Sequence, residues 1–212
     1  MSFIYEPHPF TPESKREGTA SLLTANTYDR DFYVLLIGSI LLAICAIFTD
    51  SIPVLIASMI VAPLASPIVA LGLGITVQDN KVIKKSAAIL GVSCIIALAL
   101  AVVITLTFNG EQAVDKFISF NGNRHIAVIV AVASGAIAAY STIRPKIASA
   151  ITGIAIAVSL MPPLVATGIG YASGRMDFGT SAAILFLLNV AGILIASIVV
   201  FTLFGIRKTY RS

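Results

Sequence analysis

The sequence predicts an all-α integral membrane protein of six transmembrane helices, arranged as two inverted three-helix repeats with helices two and five broken at mid-membrane prolines. Three observations predict it. Of 212 residues, 58% are hydrophobic and 11% charged, and the mean hydropathy of +0.98 exceeds what a water-soluble core requires. Six apolar runs each approach the roughly 20 residues that cross the hydrocarbon core of a bilayer. Finally, PIVALGLGI at 67–75 recurs 96 positions later as PLVATGIGY at 163–171, an offset that carries span one onto four, two onto five and three onto six.

The elements follow in order. Residues 1–31 read as a polar, partly mobile cytoplasmic tail containing Pro7, Pro9 and Pro12, with a short interfacial helix expected over Ser21–Arg30. The tail has no basic start running into an apolar core and a small-residue cleavage site, so it does not read as a signal peptide. The first repeat occupies 32–108, with spans near 32–49, 53–77 and 86–108. An external loop, 109–124, leads to the second, inverted repeat at 125–205, with spans near 125–143, 147–171 and 178–204, and 206–212 is a cytoplasmic tail.

Lys and Arg set the orientation. Eleven fall on one side (Lys15, Arg16, Arg30, Lys81, Lys84, Lys85, Arg144, Lys146, Arg207, Lys208, Arg211) and three on the other (Lys116, Arg124, Arg175). That asymmetry predicts six spans with both termini in the cytoplasm. The formal charge of +4 then reflects basic loops facing anionic lipid, and no basic patch with interleaved aromatics points to nucleic acid.

Each half holds an odd number of spans, so the second enters the bilayer upside down relative to the first. Comparing 64–74 with 160–170, Leu64, Pro67, Val69, Ala70, Gly72 and Gly74 recur as Leu160, Pro163, Val165, Ala166, Gly168 and Gly170. Secondary transporters place broken helices around a midplane site in this way. Within a helix, Pro63 and Pro67 withhold the donors for the carbonyls of Met59 and Pro63, and Pro162 and Pro163 those for Val158 and Ser159. In hydrocarbon such acceptors must find partners. Ser66 before Pro67 reads as an N-cap followed by a first-turn proline, so span two is expected to restart there, with its positive dipole end facing the midplane. The competing reading is packing. Ser58, Ala62, Ser66, Ala70 and Gly74 form a stripe of small residues spaced by four, which another helix or a second protomer could contact.

Enzyme chemistry is not expected. The only histidines are His8, in the tail, and His125, at a span end, and no Asp, Glu, Lys or Arg lies inside a span. Neither an aspartyl dyad, a metalloprotease pair, a serine–base couple nor a nucleotide loop can be assembled. Cys45 and Cys94 lie in apolar runs, where they read as packing residues. Asn189 is the only amide deep in a span and reads either as a bond to another helix or as part of a site.

The stretches SIPVLIASMIVAPLASPIVALGLGI (51–75), GIAIAVSLMPPLVATGIGYASG (153–174) and FLLNVAGILIASIVVFTLFG (186–205) resemble the prokaryotic membrane family catalogued as domain of unknown function 389. The resemblance covers roughly 31–205 and is specific at the two proline–glycine segments and at Asn189, the place of an asparagine typical of the family's last span. Ser66 stands where many members have glycine. The resemblance implies a compact multi-span unit in the cytoplasmic (inner) membrane of bacteria or archaea and brings no substrate.

The expected function is transport of a small solute or ion through a midplane site lined by Ser58, Met59, Pro63, Ser66, Pro67, Gly72, Gly74, Val158, Ser159, Pro162, Pro163, Gly168, Gly170 and Asn189. No cofactor is expected. Freed carbonyls would suit Na+ or another small cation, and a helix start at Ser66 would suit an anion. The alternative is a membrane scaffold or receptor subunit in which the same motifs serve helix packing.

Overall fold

In the computed structural model, residues 12–27, 29–108, 124–143 and 160–207 are described, and among them the fold is entirely helical. The described residues form eight helices: α1 (Pro12–Ala25), α2 (Arg30–Thr49), α3 (Ile52–Val61), α4 (Ala65–Val77), α5 (Asn80–Thr107), α6 (Arg124–Ile143), α7 (Met161–Ala172) and α8 (Met176–Leu203). Helices α2, α5, α6 and α8 are long and apolar enough to cross a membrane, and α3 with α4 makes a fifth crossing if the 44° bend between them is taken as a broken span.

Local chemistry explains the boundaries. The Asp29 carboxylate accepts from Phe32 N at 2.9 Å and starts α2; Asp79 accepts from Lys81 N at 2.9 Å and starts α5. Because that cap precedes Lys81, Lys84 and Lys85, all good helix formers, α5 begins at Asn80 rather than near 86 as expected. At 28 residues, α5 and α8 would each extend about 42 Å, longer than the hydrocarbon core. Their outward faces carry Ile95, Val103, Leu106, Leu187 and Leu203, all exposed. Such surface suits lipid tails, where apolar side chains need no burial.

Five contacts gather the ends of the bundle. Arg207 donates to Gln78 Oε1 at 2.7 Å, Lys15 Nζ to the Phe204 carbonyl at 2.7 Å and Asn26 Nδ2 to Ser86 Oγ at 2.7 Å. Gly18 lies against the Thr142 carbonyl, and Gly74 against Val82 and Ile83 at the start of α5. The α4–α5 turn and the ends of α6 and α8 therefore meet at one end, which also carries Lys81, Lys84, Lys85 and Arg207. Helix α8 runs to this basic end over its full length, so its start, and the end of α7 just before it, lie at the opposite end. Helix α4 runs toward the basic end and α7 away from it.

The core is built around α7, in which every residue from Leu160 to Gly170 is buried, with Leu36, Ile40 and Ile44 of α2 and Ile68 and Leu73 of α4. Helix α6 lies close against α8: a Cβ at Gly135 would come within 2.6 Å of Ile193 Cα.

Two expectations about the polar segments are revised. The tail helix covers 12–25 and not 21–30: proline is at home in a first helical turn, Glu13 suits the positive end of the dipole, and Asn26 follows the last turn. This helix packs on the bundle, its Leu22 and Leu23 resting against the core. The expected external loop, apart from Arg124, and the first part of the expected fifth span, 147–159, lie outside the described residues.

Candidate functional site

The site begins at the interruption of the second span. Helix α3 ends when Ala62, ahead of Pro63, turns to an extended conformation (φ −63°, ψ 123°), as steric conflict with a following proline ring favours. Ala62 N still donates to the Ser58 carbonyl at 3.2 Å. Pro63 has no N–H, so the Met59 carbonyl loses the donor four residues on.

Helix α4 then restarts with Leu64 as N-cap, making no side-chain capping bond. This corrects the expectation that Ser66 caps the restart with Pro67 in the first position. Leu64 is already right-handed (φ −68°, ψ −19°), so Ser66 is the second helical residue and Pro67 the third. Proline is tolerated there because first-turn N–H groups have no intrahelical acceptor. Pro67 still leaves the Pro63 carbonyl without a donor four residues on.

Helix α7 starts in the same register. Leu160 is its N-cap, again without a side-chain capping bond, and Pro162 and Pro163 are its second and third residues. Leu164 N donates to the Leu160 carbonyl at 3.3 Å, and Thr167 Oγ1 to the Pro163 carbonyl at 2.7 Å. Two prolines remove two of the donors that a helix start leaves unpaired, which suits a start buried in protein. Val158 and Ser159 lie outside the described residues.

Ser58 and Met59 are buried beside the break, and Ser58 Oγ donates to the Leu55 carbonyl of its own helix at 2.6 Å. Pro63 and Ser66 are half-buried, whereas Pro67, Pro162 and Pro163 are buried. Pro63 and Ser66 at the interruption are therefore partly accessible, whereas Leu64 between them and the whole start of α7 are buried. Asn189 is buried near the middle of α8.

The four glycines are points of close helix approach. A Cβ at Gly72 would lie 2.9 Å from Ser197 Cβ and 3.6 Å from Leu194 Cδ1, so α4 rests on α8. At Gly168 it would lie 2.6 Å from Ala101 Cβ and 3.2 Å from the Leu98 carbonyl, so α7 rests on α5. Gly74 and Gly170 allow the turns that follow: their Cβ atoms would meet Ile83 N at 3.1 Å and Gly179 Cα at 2.7 Å. Both half-helices thus pack between the long helices α5 and α8. Ser93, which gives little signal in the sequence, is fully buried on α5, donates to the Ile89 carbonyl of its own helix at 2.8 Å and lies 96 positions before Asn189.

No ionisable side chain belongs to this group, so its electrostatics come from the backbone. The positive dipole end of α4 and the carbonyl end of α3 face each other across Ala62–Leu64. Among the described residues no cluster of three His, Cys, Asp or Glu could hold a metal ion.

Among the described residues these features define an all-helical protein of long apolar helices with a proline-broken helix pair. The chain belongs to the family described as Domain of unknown function (DUF389), whose sequence profile matches residues 59–195, from the end of α3 into α8. It is 31% identical to an uncharacterized protein of Methanocaldococcus jannaschii over 221 aligned residues, covering 96% of this chain and 67% of that relative. No solved structure matches.

Proposed function

We propose that this protein is an inner-membrane transporter of a small solute or ion, built as an inverted repeat whose midplane site lies at the break between α3 and α4. The observation that carries this reading is the pair of half-helix starts, α4 and α7, with matched registers, third-position prolines and no side-chain caps, running in opposite directions. Polar backbone ends are retained at membrane depth where they serve a cavity or a bound solute.

The repeat is supported by residue-level correspondence at the 96-position offset. Both ends of α8 match those of α5 (80 to 176, 107 to 203). The contact of Gly72 with Leu194 and Ser197 corresponds to that of Gly168 with Leu98 and Ala101, with the two halves exchanged. The turns agree too: Gln78 and Gly174 have φ of 60° and 69°, and Asp79 N and Arg175 N donate to the carbonyls of Gly74 and Gly170 at 3.0 and 2.9 Å. Exchange of halves under one offset is the relation expected of a pseudo-two-fold axis, and with α4 and α7 on opposed courses an inverted repeat would have that axis in the membrane plane. The basic end is read as cytoplasmic.

A packing scaffold is the second reading, favoured by the complete burial of 160–170 and by the tight glycine contacts. Uptake separates the two. Proteoliposomes would be offered radiolabelled sodium, chloride and phosphate in turn, with Pro67→Ala and Pro163→Ala as comparisons. Transport predicts entry of a probe above protein-free vesicles, reduced in the folded variants; equal leakage for all three probes favours the scaffold.

A further inference from the structure

Helix α1 is polar, yet it is fastened to the basic end of the bundle at three separate places. Gly18 is buried, and any Cβ there would overlap the Thr142 carbonyl oxygen, so only glycine lets α1 lie this close to the end of α6. Lys15 Nζ donates to the carbonyl of Phe204, the C-cap of α8, where a cation also complements the negative end of the helix dipole. Past the end of α1, Asn26 Nδ2 donates to Ser86 Oγ of α5 at 2.7 Å, and both side chains are buried.

These attachments fall on both halves of the molecule. Ser86 belongs to the first and Thr142 and Phe204 to the second, so α1 spans the seam between them. Arg207 bonded to Gln78 crosses the same seam beside it. If the halves move relative to each other, a strap bonded to both at one end holds that end closed, and its release permits opening there. Besides Leu22 and Leu23, which rest on the core, two polar bonds and one glycine contact hold this 14-residue helix in place, and a short surface element of this kind suits reversible docking.

We propose that α1 is a latch that keeps the basic, cytoplasmic-side entrance to the α3–α4 break shut. This rests on the pathway reading above. Release of the latch shifts the bundle toward a form open on that side, and removing any one attachment weakens it.

The test uses the full chain with Cys45→Ala and Cys94→Ala and a reporter, Ser58→Cys, at a position that is fully buried beside the break. In inside-out vesicles, a charged, membrane-impermeant methanethiosulfonate labels the reporter, while trypsin cleavage after Lys15 or Arg16 reports release of α1. Gly18→Val should free α1 and speed labelling about tenfold, the gain expected when a closed–open equilibrium with a ~10% open form becomes mostly open. Lys15→Gln, which adds no bulk and leaves the bundle intact, should show a smaller rise in labelling and in cleavage after Arg16, the site that it retains. Release of α1 with labelling unchanged overturns the latch, as does Gly18→Val that leaves α1 as resistant to trypsin as before. Labelling in right-side-out vesicles keeps the two ideas apart. A reporter reached from that side with α1 docked supports the pathway whatever the latch result, whereas one protected from both sides in every variant sinks the pathway reading itself.

Discussion

Gly168→Ala should destabilise the protein, and Ala101→Gly should partly rescue it. The added Cβ would sit 2.6 Å from Ala101 Cβ and 3.2 Å from the Leu98 carbonyl, with neither neighbour at the end of a flexible chain. Carbon atoms pack at roughly 3.5–4.0 Å, so α5 and α7 must separate by about 1 Å or distort. Overpacking of this kind costs ~1–3 kcal/mol, against ~1 kcal/mol gained by replacing glycine with alanine in a helix. The net expectation is a loss of about 0–2 kcal/mol. The matching change, Gly72→Ala, meets Ser197 Cβ at 2.9 Å and should cost less. Thermal unfolding of the detergent-solubilised single and double variants gives a double-mutant cycle, and contacting residues should couple by ~0.5–3 kcal/mol in favour of the double variant. Strict additivity of Gly168→Ala and Ala101→Gly would refute the close approach of α7 to α5 and, with it, the exchanged-halves correspondence.

Other consequences are smaller in scope. Gln78 occupies the left-handed region that its counterpart Gly174 occupies without a Cβ; Gln78→Gly should therefore leave stability unchanged or raise it by up to ~1 kcal/mol, and Gly174→Ala should lower it by ~1 kcal/mol, read as opposite shifts in melting temperature. Ser86→Ala removes the partner of buried Asn26 and should cost about 1–3 kcal/mol, seen as faster trypsin cleavage of α1. Arg207→Ala breaks only an exposed bond to Gln78 and should change the melting temperature by no more than ~0.5 kcal/mol would produce. Single cysteines at 110–122 should label from the side opposite a cysteine at Gln78; labelling of both from one side would overturn the expected topology.

Much of the fold could be read from the sequence because membrane spans advertise themselves by length and apolarity. The break near Pro63 was legible for a simple reason: proline has no N–H and pushes Ala62 out of the helical region. Its fine register was not. Ser66–Pro67 looks like a capped start, but once Leu64 has returned to helical angles the helix begins there, and only the tertiary placement of buried Leu64 decides that. The glycines stand out in the sequence as a recurring pair, yet what lies against them does not, because Ser197 and Ala101 are distant in the chain. The extent of α1 was missed because its anchors, Lys15, Gly18 and Asn26, are unremarkable until Phe204, Thr142 and Ser86 are brought beside them.

The proposed hydrated midplane site at the α3–α4 break has its sharpest test at Ser66, which is half-buried at the start of α4. Ser66→Cys, with Cys45→Ala and Cys94→Ala, would be exposed to a charged, water-soluble thiol reagent and, separately, to a lipid-soluble maleimide. A pathway predicts modification by the charged reagent from the aqueous phase; reaction with the maleimide alone would place Ser66 against lipid or packed protein and contradict it.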